Sequence, residues 1–228
     1  DFAHSPWLAT ALFVLVLVQG AFGAWTVTMK LQPVIVTIHL LLALGLLSLL
    51  AWAWRREVQQ EAYQGGTALR IIAPLAFLVL LVQIALGGWV STNYAALACA
   101  DYPTCGGVML PALDFDHAYT LWRELGRTAS GDFIPFSALL TIHWVHRSFA
   151  WVAFAFLAML TWLAHRDATT RSLSRWILAV LCAQIGTGIA TVYFSWPLAL
   201  AVSHNAGASL LVLLLAMLNY RVRSRASL

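Results

Sequence analysis

The chain has 228 residues, of which 61% are hydrophobic and only 10% charged. Soluble domains carry about 25% charged residues, so this composition excludes an ordinary soluble globular protein and points to the bilayer. The net charge of +4 rests mainly on arginines at helix ends, which is a topology signal and argues against a nucleic-acid partner.

Six runs reach the roughly 20 apolar residues that a membrane helix needs. They cover about 7–29, 33–54, 70–92, 136–163, 174–195 and 197–220. The first run follows Asp1 with no Met and no signal peptide, so the N-terminus reads as processed or as the edge of a fragment. Tryptophans such as Trp7, Trp25, Trp52, Trp54, Trp89, Trp162 and Trp196 stand near run ends, as an interfacial belt does. One set of connections holds Arg55, Arg56, Arg70, Arg166, Arg171, Arg175, Arg221, Arg223 and Arg225. The positive-inside rule places this set in the cytoplasm, with both termini, and leaves segment 93–135 outside. That segment is too long for a simple turn and is expected to be functional or folded over the bundle.

The runs repeat. Gln19 and His39 are twenty residues apart, and so are Gln184 and His204. Gln83 opens a third copy, Gln83-Ile84-Ala85-Leu86-Gly87-Gly88-Trp89, and the next run again carries histidine. The unit is a hairpin whose second helix bears a His near its outer end. Repeated hairpins suggest a duplicated bundle, although chance likeness among Gly- and Ala-rich helices remains an alternative. Residues 70–228 would form one four-helix bundle. Residues 1–54 would form the second hairpin of another bundle, joined to it by a cytoplasmic loop, 55–69.

His4, His117 and His165 lie at ends or in loops, whereas His39, His143, His146 and His204 lie inside apolar runs. An ionisable residue there is costly and needs a reason, which for any single one can be packing against a carbonyl. His39, His146 and His204 are each expected about two turns from the outer end of their helix, at one depth. Two imidazoles at equal depth across a bundle core can supply both axial ligands of a haem, and Gly186, Gly188 and Gly207 leave room for a flat ring. Zinc wants further Cys, His or carboxylate ligands at the same place. His143 and His146 are one turn apart, so only one can serve. His146 is preferred because Arg147 follows it and could pair with a propionate. In the outer loop, Cys99 and Cys105 could close a small disulfide ring in an oxidising compartment, most simply as a staple and less readily as a redox pair.

Several motifs together resemble the heme A synthase family of cytochrome oxidase assembly proteins, bacterial branch. They are Gly87-Gly88-Trp89-Val90-Ser91-Thr92-Asn93 with the Leu97–Cys105 loop, Leu121-Trp122-Arg123-Glu124-Leu125, Ile142-His143-Trp144-Val145-His146-Arg147, and the Gln…His hairpins. The resemblance implies an all-α integral membrane protein with eight helices in two four-helix halves. Here it would supply one haem-binding bundle plus a hairpin of the second, and lack the first two helices. It implies haem b on His146 and His204, with Arg147 nearby. His39 would be one iron ligand of the substrate, haem O, whose C8 methyl is oxidised to a formyl group. The acidic catalytic residue would lie on the missing helices, so none is assigned. The partners implied are haem O, the enzyme that makes it, and the bilayer of a bacterial inner membrane. The electron donor stays open, and a homo-oligomer is compatible with such a bundle. A membrane cytochrome b without synthase activity is the main alternative. A haem-free transporter or assembly factor is the other.

Overall fold

A computed structural model describes residues 6–58, 63 and 65–224, which leaves His4 and Arg225 outside the described residues. The elements in chain order are α1 (Trp7–Thr28), α2 (Pro33–Val58), α3 (Thr67–Thr92), a 3₁₀ turn (Ala95–Leu97), α4 (Phe115–Ala118), α5 (Phe136–His165), α6 (Arg171–Tyr193) and α7 (Leu198–Arg223). All except α4 and the 3₁₀ turn are long and apolar enough to cross a membrane. No strand occurs among the described residues, only isolated bridges such as Cys105–Val108. The chain is an all-α, multi-pass membrane protein. Its outward surface carries large apolar side chains, including Phe13, Leu78 and Trp176.

Five of the helices run further toward the arginine-rich end than hydropathy alone indicates. α2 continues to Val58 and α7 to Arg223, while α3 begins at Thr67. Arg55 and Arg56 occupy the last turn of α2, and Arg221 and Arg223 that of α7. Cations there oppose the negative helix end and extend their charged heads past the apolar slab.

The packing pairs α1 with α2, α3 with α5, and α6 with α7. Contacts of α5 with α6 and of α7 with α3 close α3, α5, α6 and α7 into a four-helix ring, and α2 lies against α3 and α7. α1 buries none of its residues.

The core is uneven along the bundle axis. Leu80, Leu157, Leu160, Ile177, Leu211 and Leu215 fill the arginine-side half. Toward the other end, α5 has no buried residue between His143 and Ala153, α6 none between Leu181 and Thr191, and α7 none between Ala201 and Leu211. Each gap spans ~13 Å of helix. The outer half of the ring is therefore loosely filled where the histidines stand.

Segment 93–135 is folded onto the helix ends. A second cluster, Trp89, Val90, Ala95, Ala118, Ala138 and Ile142, roots it on α3 and α5. Trp89 Nε1 donates to the Ala118 carbonyl at 2.9 Å. Arg123 is 4% exposed. It donates to Asn93 Oδ1 and, at 3.1 Å, to the Arg127 carbonyl, with its guanidinium carbon 6.0 Å from the centre of the Trp89 ring. Burial lowers its pKa and pushes that of the neighbouring Tyr119 up to about 12.

Candidate functional site

Each hairpin presents the same joint. A Cβ added to Gly23 would lie 3.2 Å from Cε1 of His39, one on Gly87 2.9 Å from Cε1 of His146, and one on Gly188 3.2 Å from Cε1 of His204. In each case the glycine stands four residues after the repeated glutamine, at Gln19, Gln83 and Gln184. The imidazole of one helix thus packs flush on the backbone of its partner, a closeness only glycine permits. The repeat, which reads Gln, three residues, Gly and then a His on the next helix, is a repeated contact between that Gly and that His.

The joint also separates the two candidates on α5. His146 faces Gly87, whereas His143 lies one turn further out, where α5 meets the 3₁₀ turn Ala95–Leu97. His143 is 4% exposed, and its Nδ1 is buried without a partner. His39 and His204 lie six residues into α2 and α7, counting from Pro33 and Leu198, but His146 lies ten into α5, counting from Phe136. The two-turn estimate therefore fails for His146, because α5 extends about one turn further out to carry the folded loop. His146 and His204 are nevertheless close enough to interact electrostatically across the ring.

The ring nitrogens are differently engaged. Thr187 Oγ1 lies 3.0 Å from His204 Nδ1 and 2.9 Å from the Ala183 carbonyl. A hydroxyl has one proton; given to the carbonyl, it leaves the oxygen to accept Nδ1–H and His204 Nε2 with a free lone pair. Gln83 Nε2 stands 3.2 Å from His146 Nδ1 and 3.3 Å from the His146 carbonyl, while Gln83 Oε1 is buried without a partner. At His39 it is Nε2 that meets Gln19 Nε2, at 3.5 Å, and both His39 Nδ1 and Gln19 Oε1 are buried without partners. These orphaned atoms are the kind a bound polar group or metal would satisfy. No three His, Cys, Asp or Glu side chains converge among the described residues, so the histidines are arranged singly or in pairs.

Arg147 reaches over the site to the outer loop. Nη1 donates to the Asp101 carbonyl at 2.9 Å, and Nη2 to the Thr104 carbonyl at 3.1 Å. Its guanidinium carbon is 5.0 Å from the centre of the Tyr102 ring. The loop it grips is closed by a Cys99–Cys105 disulfide. Inside the loop, Asp101 accepts from the Gly106 and Gly107 amides, at 2.7 and 3.0 Å, and from Thr104. These bonds hold its carboxyl down at about 2. Tyr193 Oη, on α6, donates to the Tyr102 carbonyl at 3.3 Å. The loop therefore spans from α5 to α6 above the loosely filled half of the ring. His117 and His165 engage Asp114 and Ser174 and stand apart from this region.

The family model described as cytochrome oxidase assembly protein, COX15-CtaA, matches residues 2–216. A heme A synthase of Shewanella oneidensis is 39% identical over 214 residues, covering 92% of this chain and 64% of its own length. Heme A synthases of Bradyrhizobium diazoefficiens and Azorhizobium caulinodans are 29% and 32% identical, over 95% and 91% of this chain and 60% and 59% of theirs. The chain thus spans less than two thirds of the length of these relatives. With a match along nearly its whole length, the chain belongs to the COX15-CtaA family of cytochrome oxidase assembly proteins.

Proposed function

We propose that this chain is the haem-b-holding part of a heme A synthase, an oxidoreductase that converts the C8 methyl of haem O to a formyl group. The observation that carries this reading is the His146–His204 pair, on the diagonal helices α5 and α7 in the loosely filled half of the ring. Each has its Nδ1 held by a neighbour and its Nε2 left over. That is the arrangement of a metal-bound imidazole, whose second nitrogen is fixed by a hydrogen bond. For His146 to offer Nε2, the Gln83 amide turns so that its orphaned Oε1 accepts Nδ1–H. When bound, a bis-histidine haem b supplies one-electron transfer.

The protein's own residues do the rest. Gly87 and Gly188 set the two rings at fixed distance from their partner helices. Arg147 ties the loop down over the ring, which limits water, and in this position it could share its guanidinium with a propionate. His39, on the hairpin beside the ring, is the substrate-side ligand for haem O, and its buried, unpaired Nδ1 is consistent with a polar group bound there. We assign residues 70–228 to the haem-b bundle, 1–54 to the substrate-side hairpin and 55–69 to the cytoplasmic loop. The arginine-rich end faces the cytoplasm of a bacterial inner membrane, by the positive-inside rule.

The test is the reduced-minus-oxidised visible spectrum of the detergent-purified protein from haem-replete cells, with its extractable haems identified. A low-spin b-type signal lost in His204→Ala and kept in His39→Ala is expected, with haem O or haem A lost from the extract of His39→Ala. A colourless wild type would refute the haem reading. A b-type signal with no haem O or A would favour a simple membrane cytochrome.

A further inference from the structure

A groove on the bundle's surface has no role in the chemistry above. It runs between α2 and α3 and encloses about 290 Å³, bordered by Leu41, Gly45, Phe77, Val82 and Ala85. A second hollow of about 220 Å³ shares Ser48 and Phe77 with it and continues to Trp52, Asn219 and Arg223. Together they extend from Ala85 to Pro74 along α3, eleven residues or ~16 Å. The walls offer little to a polar ligand. Ser48 spends its proton on the Leu44 carbonyl at 2.7 Å, and Asn219 spends its amide on Ala73 and Leu215. A Cβ on Gly45 would meet nothing within 4 Å, so the space is open where glycine sits.

The polar end is cationic. Arg223, in the last turn of α7, borders the second hollow there. An apolar channel of this length, opening onto the Arg223 guanidinium at a helix end, matches an acyl chain beneath an anionic headgroup.

We propose that the α2–α3 groove is a binding site for one anionic phospholipid, with an acyl chain along Gly45 and Ala85 and the phosphate beside Arg223. The site is independent of the haem reading. It would seat a lipid along the seam between the α1–α2 hairpin and the four-helix ring.

Native mass spectrometry of the full-length purified protein tests this, with phosphatidylglycerol and phosphatidylcholine of identical chains as probes. One phosphatidylglycerol adduct is expected to persist at collision energies that strip phosphatidylcholine. Gly45→Leu should abolish the adduct by filling the groove, and it keeps the fold because leucine is the better helix former and enters open space. Arg223→Gln should cut the preference for phosphatidylglycerol about fivefold, the weight of one cation at a lipid surface. Equal retention of the two lipids would overturn the proposal in favour of an uncharged chain. An adduct surviving Gly45→Leu, or none in the wild type, would overturn it as well.

Discussion

Gly87→Ala probes the joint between α3 and His146 most directly. The new methyl would stand 2.9 Å from Cε1. Carbon atoms rest at about 3.5–4.0 Å, so the ring must retreat by at least ~0.6 Å or the helices must part. Overpacking of this kind costs about 1–3 kcal/mol. The gain in helix propensity from Gly to Ala returns about 1 kcal/mol. The net change in stability is therefore small, while the displacement is about three times the ±0.2 Å a metal–ligand distance tolerates. The haem spectrum should thus change more than the melting temperature does. Gly186→Ala is the matched control: two residues from Gly188, it lies on the opposite, exposed side of α6 rather than inside the ring where the sequence placed it, and nothing lies within 4 Å of its Cβ. The expected order of damage to the low-spin signal and to haem retention is Gly87→Ala first, then Gly188→Ala, with Gly186→Ala unaffected. Gly23→Ala should leave the b-type signal intact, since it presses on His39 instead. If Gly87→Ala matched Gly186→Ala in spectrum, haem retention and melting, the reasoning that links glycine to ligand position would be wrong.

Three further outcomes are expected. Asp101 has its carboxyl held below the ordinary value, so its bonds to the loop are present above about pH 4 and lost as pH falls through about 2; hydrogen exchange of the Gly106 and Gly107 amides should rise in that window, and Asp101→Asn should raise it at neutral pH. Reducing the Cys99–Cys105 bridge removes a constraint worth about 2 kcal/mol for so short a ring, and limited proteolysis should then cut within 99–107. Arg123→Ala strips donors from Asn93 Oδ1 and the Arg127 carbonyl and should cost about 2–3 kcal/mol, read as a lower melting temperature.

Much of the fold could be read before any coordinates, because a bilayer forces long helices and little else. The runs at 7–29 and 136–163 fall within two residues of α1 and α5. The ends missed lie on the arginine-rich side, at Arg55 and Arg56, at Thr67, at Arg171 and at Arg221 and Arg223, where hydropathy drops but the helix does not. The histidines stood out because apolar runs rarely tolerate them. Their surroundings did not: nothing in the spacing showed that Gly87, Gly188 and Gly23 are the surfaces they rest on, or that Thr187 holds His204. Arg147 was read for its charge, and its grip on the carbonyls of Asp101 and Thr104 could not be seen, since backbone acceptors leave no trace in side-chain identity. The buried Arg123 was noticed only as part of a motif, because a loop arginine gives no sign of being 4% exposed.

The uneven filling of the ring has a consequence for biogenesis. The arginine-side half, built on Leu157, Leu160, Ile177 and Leu215, closes with side chains alone. It can assemble in the membrane before any prosthetic group arrives. The opposite half behaves as the open end of a clasp, with α5, α6 and α7 anchored below and the loop bridging α5 to α6 above. If the ring takes the haem proposed for it, loading need not fold the protein, only tighten one end of it. Cells starved of haem would accumulate an inserted, half-consolidated bundle that can be rescued without new synthesis.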